Sequence, residues 1–375
     1  MSNAPSWTAL LKEPETFNEM PCRLAGHSGL RLSAVGLGLW KWGDPSYDKS
    51  KVGDHEGFAI LDRALELGVF HWDTACSYNQ GSGNSERLIG RWFKSRGPAL
   101  REKVILATKA KNGVREEHQT KGSFTPNQVG SSRIYLRTLV ENGLRRLQTD
   151  HIDLLALHGP IIDKEGNWLT PLEETWGTLD DLVTEGKVRY LGLSNHSADQ
   201  IAKVQKTLEQ VGKDASRRII TAQNHYSLLE RQSVAALNRD PLAPQKDAER
   251  KFLDYCGTAG VGVIPYFPLA SGALTGRYRK ANLDEVRGRL TEEGTSKGFL
   301  RERNLEMVEQ IAAVAEQAGV PMARLAIAWL LSKPVVSSVI AGVTSMPQLE
   351  ENAEAGRLEL SSDVLAKLEE ITSTK

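Results

Sequence analysis

Short apolar runs alternate along this chain with longer stretches whose apolar positions recur at helical spacing, and the alternation holds from residue 34 to residue 340. The runs at 34–39, 69–73, 104–109, 152–158, 188–193, 218–223, 261–265 and 335–340 predict eight buried strands. Helices are predicted over 56–67, 85–93, 128–147, 171–184, 198–211, 247–258, 300–318 and 321–331, with Gly68 and Gly186 standing where a helix would stop. Strands joined through helices lie parallel, and eight of them can close into a (β/α)8 TIM barrel, an α/β fold. The competing doubly wound open sheet would want a G-x-G-x-x-G turn after its first strand. Neither Gly36-x-Gly38 nor Gly81-x-Gly83 completes that pattern.

Three segments fall outside the alternation. Residues 22–32 hold two short strand-like runs about a glycine-containing turn, which predicts a hairpin ahead of the barrel. A glycine- and charge-rich stretch at 270–297 predicts a long loop after the seventh strand, and 232–247, with Pro241 and Pro244, reads as an inserted loop. We expect an N-terminal extension at 1–20 and a single barrel domain over 21–375.

Composition narrows the function classes. The 375 residues carry 47 Lys and Arg against 47 Asp and Glu, so zero net charge gives no pull toward nucleic acid or an anionic membrane. Cys22, Cys76 and Cys256 make an odd count without C-x-x-C spacing, which argues against a disulfide framework or a zinc site and for a reducing cytoplasm. No stretch has the apolar length of a signal-peptide core or a membrane span.

Barrel enzymes carry their reacting groups at the C-terminal ends of the strands. Those ends here present Asp73, with Tyr78 five residues on, then Lys109 and His158. A tyrosine of pKa near ~10 is a poor donor at neutral pH, but a nearby ammonium favours the phenolate and lowers that value. Lys109 can be that ammonium, and Asp73 the carboxylate that keeps a buried lysine charged. His158 can orient or polarise a substrate oxygen. Singly, each residue is more often a cap, a rim group or core; on three successive strand ends they form an acid–base set suited to protonating a carbonyl oxygen as hydride reaches its carbon.

Asp73-Thr74-Ala75-x-x-Tyr78, the strand-ending Thr108-Lys109 and Asp153-Leu154-x-x-x-His158 resemble, in the same order, the Asp-Tyr-Lys-His tetrad of the aldo-keto reductase superfamily, and the likeness runs from about residue 23 to 355. The resemblance implies a nicotinamide-dependent oxidoreductase interconverting a carbonyl and an alcohol. In it Tyr78 would be the general acid or base, Lys109 and Asp73 would tune it, and His158 would orient the carbonyl. It further implies that Ser194, Asn195 and Gln223 hydrogen-bond the nicotinamide carboxamide, that Tyr266 stacks on the ring, and that Gly38, Trp40, Phe267 and Leu269 also contact the cofactor. Ser271, Gly276 and Arg277 lie in a segment similar to the family's pyrophosphate loop, with Arg287 nearby to clasp phosphate. Gly342, Thr344, Gln348, Glu351 and Asn352 lie in a segment similar to that around the adenosine and its 2′-phosphate. NADP(H) is the expected cofactor. NAD(H) stays open, because Val343, Thr344 and Ser345 stand where relatives often carry Lys or Arg. The plainer alternative for Ser194 and Asn195 is capping of the helix that follows.

On the substrate side Trp42, Cys76 and Trp168, together with Trp40, fall in loops where they could line an apolar or sugar-stacking pocket. Phe267 stands where relatives often have Ser, and Gly159-Pro160 replaces a commoner run after the histidine. The leading function is a carbonyl reductase or alcohol dehydrogenase, with a sugar dehydrogenase working oxidatively as one variant. An NADP-binding regulatory module similar to the potassium-channel β subunits is a second reading. A metal-dependent hydrolase is a third, although apart from His71-x-Asp73 the histidines form no ligand motif. The expected partner is a small carbonyl compound or sugar, not nucleic acid or membrane, for a monomer or homo-oligomer.

Overall fold

A computed structural model describes residues 16–46, 48, 50–111, 124–212, 218–232, 248–292 and 297–373. The chain enters through an antiparallel sheet of β1 (Thr16–Phe17), β2 (Met20–Leu24) and β3 (Arg31–Ser33), so the expected hairpin gains a short third strand. Then β4 (Val35–Gly38), β5 (His71–Asp73), β6 (Ile105–Ala110), β7 (Ile152–Leu157), β8 (Val188–Ser194), β9 (Ile219–His225), β10 (Gly262–Tyr266) and β11 (Val339–Gly342) pair in parallel and close into the expected barrel, β11 lying against β4. Residues 1–15 of the extension and 233–247 of the inserted loop lie outside the described residues.

Helices return the chain between strands, as at Asp54–Glu66, Asn84–Arg96, Leu172–Thr184 and Ala198–Val211. The first of them stops at Gly68, whose φ of 77° and close approach to Phe17 admit no side chain: a Cβ there would sit 2.0 Å from the Phe17 carbonyl oxygen. Several boundaries differ from the pattern, two of them by four residues or more. The helix expected from residue 128 begins at Arg133, because Pro126–Gln128 forms its own 3-10 turn and Val129 is extended. The last strand begins at Val339 rather than Val335, since Val336 makes only an isolated bridge to Val263.

Side chains alternate along each strand. Leu37, Trp72, Leu106, Leu155, Leu191 and Val263 belong to the layer between barrel and helices, where Trp72 meets Trp92 edge-on at 4.9 Å and stacks on Phe93 at 6.2 Å. Ala107, Leu154, Ile220, Ile264 and Ile340 fill the interior and pack with Ala25, Leu30 and Leu32 of the hairpin region. The interior also holds His71. Its Nδ1 lies 2.9 Å from Ser338 Oγ, and Gly36 leaves it room, since a Cβ at Gly36 would come within 2.9 Å of that nitrogen.

Burial lowers the His71 pKa to about 4, whereas in an unfolded chain it titrates near ~6.5. Between those values the unfolded state binds a proton that the native state refuses. Stability is therefore complete above pH ~6.5 and falls as the pH drops toward 4. Replacing His71 by Asn should flatten the pH dependence of unfolding free energy across that window by up to ~1 proton, read from urea titrations at fixed ionic strength. An unchanged slope would mean that His71 takes up its proton while folded.

Candidate active site

The two-residue repeat turns one residue of each strand end inward: Gly38, Asp73, Lys109, Ser194, Gln223, Tyr266 and Gly342, with His158 just past β7 where its N–H still donates to the Ala110 carbonyl. Gln223 is among them because of an irregularity. Leu191 pairs with Ile219 but Gly192 pairs with Thr221, so Ile220 is an extra residue that shifts the alternation of β9 by one.

Asp73, Lys109 and Tyr78 are brought together as the spacing led us to expect. Lys109 Nζ donates to Asp73 Oδ2 at 2.7 Å, to the Thr74 carbonyl at 2.9 Å and to the Tyr78 hydroxyl at 2.7 Å, which uses all three of its protons. The Tyr78 hydroxyl donates to Asp73 Oδ2 at 3.0 Å, and Asp73 Oδ1 accepts from Gln223 Nε2 at 2.7 Å. Tyr78 opens a one-turn helix, Tyr78–Gly81. His158 places its ring edge-on to Tyr78, centroids 5.9 Å apart, and its Nδ1 lies 2.9 Å from Ser77 Oγ. Sequence reasoning missed Ser77, because a serine beside a tyrosine carries no signal of its own.

The electrostatics differ from expectation in one respect. Burial first, and then the charge and hydrogen bond of Asp73, raise the Tyr78 pKa well above its ordinary value, whereas the sequence argument had Lys109 lowering it. Burial also lowers the pKa of Lys109, opposed by Asp73. His158 is held neutral by burial and by the charges of Lys109 and Lys111, which push its pKa well below the ordinary value. The cluster therefore holds a protonated phenol and a neutral imidazole beside an ion pair.

The rim carries the residues considered for the cofactor. Asn195, in the left-handed region at φ 59°, donates through Nδ2 to the His158 carbonyl at 2.8 Å and to Ser194 Oγ at 3.1 Å, and its Oδ1 accepts from the Tyr266 hydroxyl at 2.7 Å. Neither Ser194 nor Asn195 caps the next helix. Ser197 does, through a reciprocal box with Gln200. Tyr266 stacks on His225 at 5.6 Å, and beyond it Phe267, Ala270 and Ser271 all take left-handed backbone angles in a tight loop that includes Leu269 and ends at Gly276.

Arg277 donates to the Arg287 carbonyl and Arg287 to that of Asp284, so both are tied to the loop backbone. The arginine that reaches the aromatic rim is Arg289, with its guanidinium 4.9 Å from the Trp40 ring and 5.4 Å from that of Phe267. It escaped notice as a loop charge two residues past Arg287. On the far side Gly342 pairs with Gly38, Thr344 N–H donates to Gln348 Oε1 at 2.8 Å, and Asn352 is buried while Glu351 is half-buried on the helix Met346–Ala355.

The residues considered for a substrate pocket separate. Trp42 is fully buried and donates to the Val343 carbonyl at 2.9 Å, and Cys76 is 1% exposed with its thiol directed at the Lys109 carbonyl, so neither faces an opening. Trp168 stacks on His196 at 5.9 Å and bridges to Ile162 in its own loop. Trp40 is the tryptophan beside Tyr78, their rings 6.4 Å apart. Among the described residues no three His, Cys, Asp or Glu side chains form a metal cluster, and no single helix is long and apolar enough to cross a membrane.

Fold and site together define a (β/α)8 barrel with a lysine-bound phenol at its strand ends. The chain belongs to the aldo/keto reductase family, whose model matches residues 34–373. It is 33% identical to Aldo-keto reductase AMT2 of Alternaria alternata, over 99% of this chain and 97% of that protein. It is 31% identical to L-glyceraldehyde 3-phosphate reductase of Escherichia coli (strain K12), over 96% and 94%, and 29% identical to Versiconal hemiacetal acetate reductase of Aspergillus parasiticus, over 92% and 95%. Members of this family are oxidoreductases that typically use NAD(P)H on small carbonyl substrates.

Breaking the buried ion pair on one side only should cost stability at this end of the barrel. Lys109→Met removes the ammonium from a buried carboxylate and should cost about 3–5 kcal/mol in urea unfolding. Adding Asp73→Leu should recover part of that loss, because the interior tolerates the pair or neither charge. A double variant no more stable than the single one would contradict this.

Proposed function

We propose that this protein is a carbonyl reductase using NADP(H), with NAD(H) as the lesser cofactor, in which Tyr78 gives a proton to the substrate oxygen and His158 orients that oxygen. The observation that carries the reading is the Tyr78 hydroxyl lying between Lys109 Nζ at 2.7 Å and Asp73 Oδ2 at 3.0 Å. In that arrangement the phenol proton is directed at Asp73. Rotation about the C–O bond redirects it to an incoming oxygen, while Lys109 keeps donating to the phenol oxygen and stabilises the charge left there. A neutral His158 can donate an N–H to the same oxygen without adding a cation next to Lys109.

The chain's polar rim fits a nicotinamide dinucleotide. Gly342 faces Gly38 across the seam of β11 and β4, and a Cβ at Gly342 would meet only the Gly38 carbonyl, at 3.8 Å, which leaves backbone open to a ligand there. Ser194, Asn195 and Gln223 would hold the carboxamide, and Tyr266 would present a ring face to the nicotinamide. Ser271, Gly276, Arg277, Arg287 and Arg289 would meet phosphates, and Thr344, Gln348, Glu351 and Asn352 would meet the adenosine. Bound there, the cofactor would supply the hydride.

The substrate we assign is a small aldehyde, ketone or sugar. Relatives named as reductases support the reducing direction, as does the raised pKa of Tyr78, which keeps the proton to be given. Three free thiols support a reducing cytoplasm as the compartment.

Tyr78→Phe should lower kcat for aldehyde reduction by ~10²- to 10⁴-fold, followed through NADPH absorbance. NADPH binding, followed by fluorescence titration, should stay nearly unchanged. Turnover at the parental rate would remove Tyr78 from the reaction.

A further inference from the structure

We propose that Ser77 is a positioning residue that holds His158 in one tautomer: the serine hydroxyl donates to Nδ1, so the single ring proton sits on Nε2. The functional consequence rests on the reading of His158 as the group that orients the substrate oxygen.

Ser77 Oγ and His158 Nδ1 are 2.9 Å apart, a distance that serves either an O–H donating to nitrogen or an N–H donating to oxygen. One observation decides between them. Among the described residues Ser77 Oγ has no other hydrogen-bond partner, so accepting from Nδ1 would leave the hydroxyl proton without a protein acceptor, whereas donating places it. Ser77 precedes the one-turn helix Tyr78–Gly81 with φ −87° and ψ 0°, in the right-handed helical region rather than the extended one that capping needs, so its side chain makes no capping bond. Its hydroxyl is engaged by the histidine instead.

The rest of His158 leaves the ring little else to answer to. Its N–H donates to the Ala110 carbonyl at 2.9 Å and its carbonyl accepts from Asn195 Nδ2 at 2.8 Å, so the main chain is fixed on both sides. Burial, and then the charges of Lys109 and Lys111, oppose a second ring proton, which confines the choice to the two neutral tautomers. Ser77 then selects the one with Nε2–H. Because Ser77 and Tyr78 are adjacent, one turn of chain sets both the proton to be transferred and the orientation of the imidazole beside it.

The test uses the full chain labelled with ¹⁵N-histidine. Long-range ¹H–¹⁵N spectra show which ring nitrogen carries the proton, and the His158 signals are those lost in His158→Gln. The parent protein should show Nε2–H at His158 at neutral pH. Ser77→Ala should move the signals toward Nδ1–H or an exchange average, and should lower kcat for carbonyl reduction ~10- to 100-fold with a smaller change in KM, the size expected for losing one partly buried hydrogen bond. Ser77→Thr, which keeps the hydroxyl, should restore both. An Nδ1–H signature in the parent, or an unchanged Nε2–H signature in Ser77→Ala, would overturn the proposal. The spectra need no substrate, so they test the tautomer apart from the reaction. Turnover by His158→Gln at the parental rate would instead count against the part of His158 in the reaction, and with it against Ser77 as its positioning residue.

Discussion

A lysine closed off from water needs an acceptor for each of its three protons and a negative charge close enough to keep it ionised. Lys109 has both. Asp73, the Thr74 carbonyl and the Tyr78 hydroxyl take one proton each, and all three acceptors lie on the six residues from Asp73 to Tyr78. The turn leaving β5 is thereby bound to β6, and the phenol is fixed to the barrel mouth by the same ammonium that would stabilise its anion. Gln223 reaches across the barrel from β9 to the other oxygen of Asp73. The ion pair is thus a joint between three strands as well as an electrostatic device.

The surrounding fold supports that joint from outside. Thr108, next to Lys109 and of opposite orientation, donates to Glu86 Oε1 at 2.8 Å, and Arg146 Nε donates to Glu86 Oε2 at 2.8 Å. The carboxylate and its guanidinium are both buried, and they tie β6 to the helices Asn84–Arg96 and Arg133–Leu147. A buried pair of this kind adds little net stability over an apolar pair, because its desolvation offsets much of its attraction. Placed behind Lys109, it restricts how far that strand end can shift.

The barrel was legible in the sequence because each level pointed the same way: apolar runs of strand length, helical spacing between them, and glycine stops such as Gly68. Asp73, Lys109 and His158 were legible because a strand end in a barrel is a known address. Gln223 was singled out only through family likeness, and the bulge at Ile220 that turns it inward leaves no mark in a hydrophobic pattern. Trp42 and Cys76 misled for a related reason. A loop tryptophan or cysteine reads as pocket lining until its packing is known, and here both face the interior. Ser77 and Arg289 were illegible because their roles depend on a partner far away in the chain, His158 in one case and Trp40 with Phe267 in the other.

The same low-dielectric surroundings move the phenol and the imidazole in opposite directions on the pKa scale with one result: each prefers its neutral form. Tyr78 keeps its proton and His158 declines a second one. Asp73 acts on both sides of this balance. It opposes the loss of charge by Lys109, and it raises the pKa of Tyr78, so the carboxylate that sustains the stabilising cation also discourages a resting phenolate. On the function proposed above, reduction begins from the form the site already prefers. Oxidation of an alcohol would begin from a phenolate facing Asp73 at hydrogen-bond distance, and that starting state is the one the buried carboxylate penalises.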